Sequence, residues 1–388
     1  RSGFLNWTFH KDRLYVQTKL NGVSCIDAET GRVLWSRQVG RPGKPSGAPA
    51  ANDQYVCVLN ANSVHLLSAE TGKTMWDAKM RKSIPMAGAA ISEEWVFVPQ
   101  ADGMISAYNL EEPTEEGWSF GTGSRIDIPP IISGDQVIFA NIRGMVFSSS
   151  ISRRNPNFQF ETDMFLSGPL AQQENLVFVP MDDNAVYAVS TKKGENIGTV
   201  TWRFNANGPV LEKPAVIDNL VYLARHNHGL YCVYVSEPPP PPEGEEAAEA
   251  EENVRFRTIG TGARADQFVT GGVMKWYAPG AQRFIAASKD RVYAADTYGR
   301  TLILDAQSGA RLGVIATEKS STTFINTQND RLYYATAKGL IQCLREIKND
   351  KKPVWHNRPE EEGDDEGEAD PADGGADPDA DPANVNFP

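Results

Sequence analysis

The sequence predicts an all-β protein folded as an eight-bladed β-propeller of four-stranded antiparallel blades. A short motif recurs eight times, in which a turn residue is followed by an alternating apolar strand, a tight turn and a second strand. Most successive copies lie ~40 residues apart, a period typical of propeller blades or of helical repeats. Alternation with period two, as at Trp95 and Phe97, selects strands and excludes helical solenoids.

Each copy of the motif is interpreted as the central hairpin of one blade. The hairpins begin, in chain order, at Leu14, Tyr55, Trp95, Val137, Leu176, Leu220, Val292 and Leu332. The step from the sixth hairpin to the seventh is longer than the others. Two insertions account for it, the acidic segment 237–252 within blade six and a second insertion around 267–282.

Two further strands complete the predicted blade. A short strand of small or β-branched residues precedes each hairpin, as at 48–53 and 213–218, and residues 5–10 supply it for the first blade. Small side chains suit the crowded strand nearest a propeller axis. An outer strand follows several hairpins after a Thr-Gly turn and ends at an aromatic residue, Trp35 or Trp76.

These outer strands resemble the repeat of the quinoprotein-like (PQQ-like) propeller family, in which alanine is followed by glycine and then by tryptophan. Two copies match the spacing, and they consist of Ala28, Gly31 and Trp35 and of Ala69, Gly72 and Trp76. Trp118, Trp202 and Trp355 are predicted to close other blades in looser form, whereas blades four, six and seven are expected to lack the tryptophan. The resemblance covers residues 5–358.

The resemblance implies one of two classes, quinone dehydrogenases or non-catalytic BamB-like members. Dehydrogenases of the family typically cover the cofactor with adjacent cysteines and hold a calcium ion with carboxylate and amide side chains. The four cysteines here stand apart, and the predicted inner strands carry no carboxylate cluster for a hard cation. We therefore expect a BamB-like member without catalytic residues, cofactor or metal. A degenerate quinoprotein oxidoreductase and an extracytoplasmic sensing module of a larger membrane protein are the alternatives.

The formal net charge of −12 is unevenly distributed. Segment 237–252 holds seven acidic residues and segment 359–388 holds twelve, and neither holds a basic one. Removing those 19 of the 50 acidic residues leaves 31 acids against 38 lysines and arginines, a net charge of +7. We therefore predict a basic propeller over residues 1–358 that carries a disordered acidic insertion at 237–252 and a disordered acidic tail at 359–388.

Basic residues concentrate in the loops that a propeller places on one face, namely the outer-to-inner crossovers and the turns between second and third strands. The predicted interaction face comprises Arg41, Lys44, Arg81, Arg125, Arg143, Arg225, Arg264 and Arg300. The opposite face carries acids such as Asp27, Glu29 and Glu70. A positive face would attract acidic partners, including the acidic arms of the same chain.

The expected function is a scaffold for protein–protein interaction in the bacterial cell envelope, with a periplasmic or envelope-associated location. Its expected partners are other envelope proteins and acidic segments. Nucleic acid is not expected, because the basic residues are not interleaved with exposed aromatic ones. No apolar run is long enough for a transmembrane helix, and the start at Arg1 predicts a processed or truncated N-terminus. His226 and His228 are expected to be solvated turn residues rather than zinc ligands.

Overall fold

The chain forms β-strands because its apolar residues alternate over short runs that are bounded by turn residues. The computed structural model describes residues 4–80, 83–111, 116–194, 196–238, 271–317, 322–336, 339–347 and 353–356. Most of the predicted acidic insertion and the whole predicted tail at 359–388 lie outside these ranges. The described strands form eight antiparallel sheets, seven of four strands and one of three.

The first four sheets follow the chain without exchange of strands. Their strands are β1 Phe4–His10, β2 Arg13–Thr18, β3 Gly22–Asp27 and β4 Val33–Gln38 in blade one; β5 Ala50–Ala51, β6 Tyr55–Asn60, β7 Ser63–Ser68 and β8 Thr74–Lys79 in blade two; β9 Ala90–Ile91, β10 Trp95–Pro99, β11 Met104–Asn109 and β12 Glu116–Gly121 in blade three; β13 Ile131–Ser133, β14 Gln136–Ala140, β15 Val146–Ser150 and β16 Pro156–Phe160 in blade four.

The remaining four sheets continue this order. Their strands are β17 Ala171–Gln173, β18 Leu176–Pro180, β19 Ala185–Ser190 and β20 Val200–Asn205 in blade five; β21 Ala215–Ile217, β22 Leu220–Arg225, β23 Gly229–Tyr234 and β24 Met274–Pro279 in blade six; β25 Ala281–Ala287, β26 Arg291–Asp296, β27 Thr301–Asp305 and β28 Arg311–Ile315 in blade seven; β29 Thr322–Thr323, β30 Leu332–Ala335 and β31 Ile341–Leu344 in blade eight. The predicted hairpins and inner strands are confirmed.

The hydrophobic core lies in the seams between blades. Side chains on a strand alternate between its two faces, so one strand contributes to two seams. Leu14 and Val16 of β2 pack against blade eight, whereas Tyr15 between them packs against blade two. Eight clusters of buried residues occupy the eight seams in turn. Because both faces of each blade are covered, the central strands are nearly continuous apolar runs.

The ring closes by packing of blade eight on blade one. The Trp7 ring lies 4.3 Å from the Phe324 ring between centroids. Beside them Arg331, which is fully buried, contacts Asp330 at 3.0 Å and Glu29 of blade one at 3.3 Å. No strand is exchanged between the first and last blades in the described part of the chain.

The outer strands differ from the sequence expectation at two tryptophans. Trp276 lies in β24, so blade six does have the outer tryptophan, and the second insertion expected around 267–282 contains this strand. The prediction was wrong because the long segment before Met274 separates the outer strand from its hairpin in sequence. Trp355 is not in a blade-eight strand but forms an isolated bridge with Asn329.

Candidate functional site

One face of the ring, called here the crossover face, is built by outer-to-inner crossovers and by the turns between second and third strands. It comprises crossovers 39–49, 83–89, 122–130, 161–170 and 206–214 and turns 19–21, 61–62, 100–103, 141–145, 181–184, 226–228 and 297–300. Hydrogen bonds join the two kinds of loop. The Asn21 side chain donates to the carbonyl of Arg41 at 2.6 Å, and the amide of Ile142 donates to the carbonyl of Arg125 at 3.0 Å. The loops therefore form one bonded surface.

Six of the eight basic residues predicted for this face are described. Arg41, Lys44 and Arg143 are exposed and make no ion pair with another described residue. Arg81 and Arg264 lie outside the described residues. Binding of a partner by these side chains stays a prediction.

Two of the other described basic residues form ion pairs with near neighbours. Arg125 pairs with Asp127 at 2.7 Å, and Arg300 pairs with Asp296 at 2.7 Å. Arg225 is half-buried at the end of β22. Ion pairing within the same loops offsets the charge of Arg125 and Arg300, whereas Arg225 makes no ion pair with another described residue.

Acidic residues interrupt this face at blade five. Glu161 and Asp163 are exposed in the crossover from blade four to blade five, and Asp182 is exposed in the facing turn. The Asp182 carboxylate accepts a hydrogen bond from the amide of Phe165 at 3.1 Å. The crossover face therefore carries both signs of charge.

Large apolar side chains are also exposed on the crossover face, which the sequence reasoning missed. They are Leu20, Ile84, Met86, Met164, Phe165, Leu211 and Tyr298. Phe165 is 54% exposed and Leu211 is 45% exposed. Single exposed apolar residues are ordinary on a protein surface, whereas a large contiguous apolar patch is typical of an interaction site. The available signal was apolar runs inside loops, Ile-Pro-Met at 84–86 and Met-Phe-Leu at 164–166.

A small cavity opens among these loops between blades four, five and six. Its volume is about 250 Å³. Asp127, Ile128, Ile142, Leu166, Ser167, Gly168, Pro169 and Leu211 line it. Pockets that enclose small-molecule ligands usually measure about 300–1,000 Å³. This cavity is smaller than that range.

The donor groups on the described inner strands do not fit a calcium-bound quinone. These strands consist of alanine, isoleucine, threonine and other uncharged residues, apart from His10 and Arg283, and contain no carboxylate. Within the described ranges no group of three or more His, Cys, Asp or Glu side chains is arranged to hold a metal. His226 and His228 are exposed in the blade-six turn.

The cysteines lie in four different blades, and none is on an inner strand. Cys25, Cys57 and Cys232 are buried, whereas Cys343 is exposed. Burial raises the pKa of Cys25 to about 11 and that of Cys232 to about 12. These two thiols are therefore neutral and unreactive at physiological pH.

Comparisons with known proteins agree with this geometry. Among solved structures, BamB from Moraxella catarrhalis is similar with a TM-score of 0.64 and 13% identity, covering 88% of this chain and 94% of that one. The computationally designed protein Ika8 is similar with a TM-score of 0.65 and 14% identity, covering 89% of this chain and 96% of that one. At such identities the likeness shows the fold alone. No curated protein matches the sequence significantly.

The described residues contain no helix that is both long and apolar enough to cross a membrane.

A family model described as outer membrane protein assembly factor BamB matches residues 1–197, which is half of the chain. The outer-strand tryptophans and the eight packed seams agree with this match. The chain belongs to the family of the outer membrane protein assembly factor BamB.

Proposed function

We propose that this protein is a non-catalytic scaffold of the bacterial cell envelope, which binds other envelope proteins through its crossover face and supports outer membrane protein assembly. The observation that carries the proposal is the exposed apolar residues on that face, next to unpaired Arg41, Lys44 and Arg143. Membership of the BamB family supports a role in outer membrane protein assembly, because the description of the family names that process.

The surface suits a protein partner better than a small ligand. Interfaces between proteins combine an apolar centre with a polar rim. Phe165 and Leu211 belong to crossovers that contact each other, since Ser167 Oγ donates to the carbonyl of Val210 at 2.9 Å. Such bonded loops hold their side chains in place, and a rigid apolar anchor loses little conformational entropy on binding.

The absence of catalysis is also part of the proposal. It is supported by the donor set of the inner strands and by the separation of the cysteines, neither of which suits quinone chemistry. Absorption spectroscopy and metal analysis of protein from the native host test it. A stoichiometric quinone chromophore with calcium would make the protein an oxidoreductase.

Complementation in the native host tests the scaffold. We expect deletion of the gene to lower the amount of folded outer membrane proteins and the unaltered chain to restore it. A double variant, Phe165→Ser with Leu211→Ser, should restore little, because two exposed apolar anchors of the crossover face are lost.

The matched control is Leu312→Ser, which removes a similarly exposed side chain from the outer strand of blade seven. This variant should complement fully. Full complementation by the double variant, with equal protein levels, would contradict the use of the crossover face. Unchanged outer membrane proteins after deletion would contradict the proposed process.

A further inference from the structure

A repeated contact joins each blade to the next at the outer rim. The indole N–H of an outer-strand tryptophan donates to a backbone carbonyl just after the third strand of the following blade. The pairs are Trp35 with Ala69 at 2.9 Å, Trp76 with Leu110 at 2.9 Å, Trp118 with Ile151 at 3.1 Å, Trp202 with Val235 at 2.8 Å and Trp276 with Ala306 at 3.0 Å. Five seams therefore share one aromatic docking geometry.

A glycine in the facing turn makes room for the aromatic ring. A Cβ atom on Gly72 would lie 2.5 Å from the Trp35 ring, and one on Gly309 would lie 2.7 Å from the Trp276 ring. Both glycines are buried beneath the rings. The same arrangement, with Phe158 in place of tryptophan, occurs at Gly198.

The seam between blades eight and one has the same turn, but no ring from the described part of the chain packs against it. Gly31 occupies the position of Gly72 with a similar φ of 70°, yet it is exposed, and a Cβ atom there would meet nothing within 4 Å among the described residues. Ala28 occupies the position of Ala69, whose carbonyl accepts the Trp35 indole. Within the described ranges, no aromatic ring covers this turn.

The fourth, outer strand, which carries the aromatic residue in other blades, is also missing from the described part of blade eight. β31 is the last strand of the blade-eight sheet in the described residues. Cys343 occupies the position in β31 that Cys25 occupies in β3, where Cys25 pairs with Trp35 of the outer strand. Cys343 is exposed and Cys25 is buried. β31 contains no lysine or proline, the residues with which natural proteins protect an exposed edge.

No tryptophan of this chain is left to pack against the Gly31 turn. All eight lie in the described residues, and five of them dock in other seams. Trp355, the nearest in sequence, lies across the blade-eight turn instead, with its ring 6.3 Å from that of Phe9 between centroids. The residues outside the described ranges contain no tryptophan.

We infer that the blade-eight slot, formed by the outer edge of β31 with Ala28 and Gly31, binds an extended segment of another polypeptide that carries a tryptophan. The segment adds a fourth strand to blade eight by main-chain hydrogen bonds, and its indole covers Gly31 and donates to the Ala28 carbonyl. This is a second binding surface on the outer rim, so it goes beyond the proposed crossover face and does not depend on it.

The test uses the full chain and a fluorescein-labelled peptide with the sequence of residues 32–39, which is the outer strand of blade one. Fluorescence anisotropy should show saturable binding. The same peptide with Trp35→Ala should bind roughly tenfold more weakly or worse, since anchor aromatics dominate such interfaces. Both peptides carry the same charge, so non-specific ionic binding would not separate them.

Three protein variants locate the site. Gly31→Ala should abolish binding, because its methyl group would take the place of the ring. Gly43→Ala, in a crossover, introduces a methyl at φ 72° with nothing within 4 Å, so it matches the backbone strain but should bind normally. The variant Phe165→Ser should also bind normally, which separates this slot from the crossover face.

Alkylation of Cys343 gives an independent readout at alkaline pH. The tryptophan peptide should protect this thiol, and the alanine peptide should not. Binding unaffected by Gly31→Ala, or equal binding of both peptides, would overturn the inference. A Cys343 already protected in the isolated chain, after refolding from denaturant and without added peptide, would show that its own chain fills the slot and would likewise overturn it.

Discussion

Single glycines determine how closely neighbouring blades approach. Gly31 and Gly72 occupy the same turn in successive blades and have φ values of 70° and 67°. Gly72→Ala should destabilise the protein by about 3 kcal/mol, because it adds a clash with Trp35 to the cost of a left-handed alanine. Gly31→Ala should cost only about 1 kcal/mol, since no described atom lies within 4 Å of the added methyl group. Equal losses in urea unfolding would show that the ring does not constrain Gly72.

Thiol accessibility provides a second prediction for single residues. Cys343 should react with a thiol reagent in the native protein, whereas Cys25, Cys57 and Cys232 should react only after unfolding. Desolvation raises the pKa of Cys343 as well, and the charge of Glu29 adds to this effect, so the native reaction should accelerate towards alkaline pH. More than one reactive thiol before unfolding would contradict the described seams.

Among the structural elements, the seam between blades eight and one depends on a buried charge. Arg331 and Asp330 are both fully buried, and Glu29 is partly exposed. Arg331→Ala should lower the unfolding free energy by about 3–5 kcal/mol, because it removes a fully buried cation that contacts both the Asp330 and the Glu29 carboxylates. Glu29→Gln should cost less than about 1 kcal/mol, because a half-exposed pair is screened by water. Thermal and urea unfolding measure both variants.

A second element-scale prediction concerns acid stability in blade five. Desolvation raises the pKa of Asp183, but hydrogen bonds from Arg203 at 2.7 Å and from Tyr187 at 2.7 Å outweigh it, so the pKa is lowered overall. Asp183 therefore stabilises the fold above the unfolded-state pKa of aspartate, about 3.9, and this stability is lost as the pH falls through the lower folded value.

The variant Asp183→Asn should accordingly lose about 1–3 kcal/mol of stability at neutral pH. The difference from the unaltered protein should shrink as the pH falls below about 4. Urea unfolding across a pH series measures it. A difference that is constant with pH would mean that the ionised form makes no special contribution.

For the whole molecule, the separation of charge along the chain predicts an effect of the acidic tail. Removal of residues 359–388 takes away twelve acidic residues and raises the net charge from −12 to 0. The shortened protein should bind polyanions such as heparin more tightly, because the tail no longer competes for the basic loops. Its melting temperature should not change.

A triple variant with alanine at Arg41, Lys44 and Arg143 is the control. It should lose the tighter binding in the shortened protein, since these three exposed cations make no ion pair in the described structure. Identical elution from a heparin column with and without the tail would exclude competition by the tail.

The local pattern of the chain was sufficient to predict the blades. Eight hairpins and eight inner strands were read correctly from alternation and turn residues, because strand formation depends mainly on near neighbours in sequence. Prediction failed at Trp276 and Trp355, where a long intervening segment or a loop separates the tryptophan from its hairpin. Pairing across such a gap depends on tertiary packing.

By itself the sequence determined the number of blades, the repeat family and the uneven charge, since each is a property of composition or of local period. Only the tertiary structure decided which cations are paired, which apolar side chains are exposed and which seam lacks an aromatic ring among the described residues. These properties depend on residues brought together around a closed ring, such as Glu29 beside Arg331, which no local pattern connects.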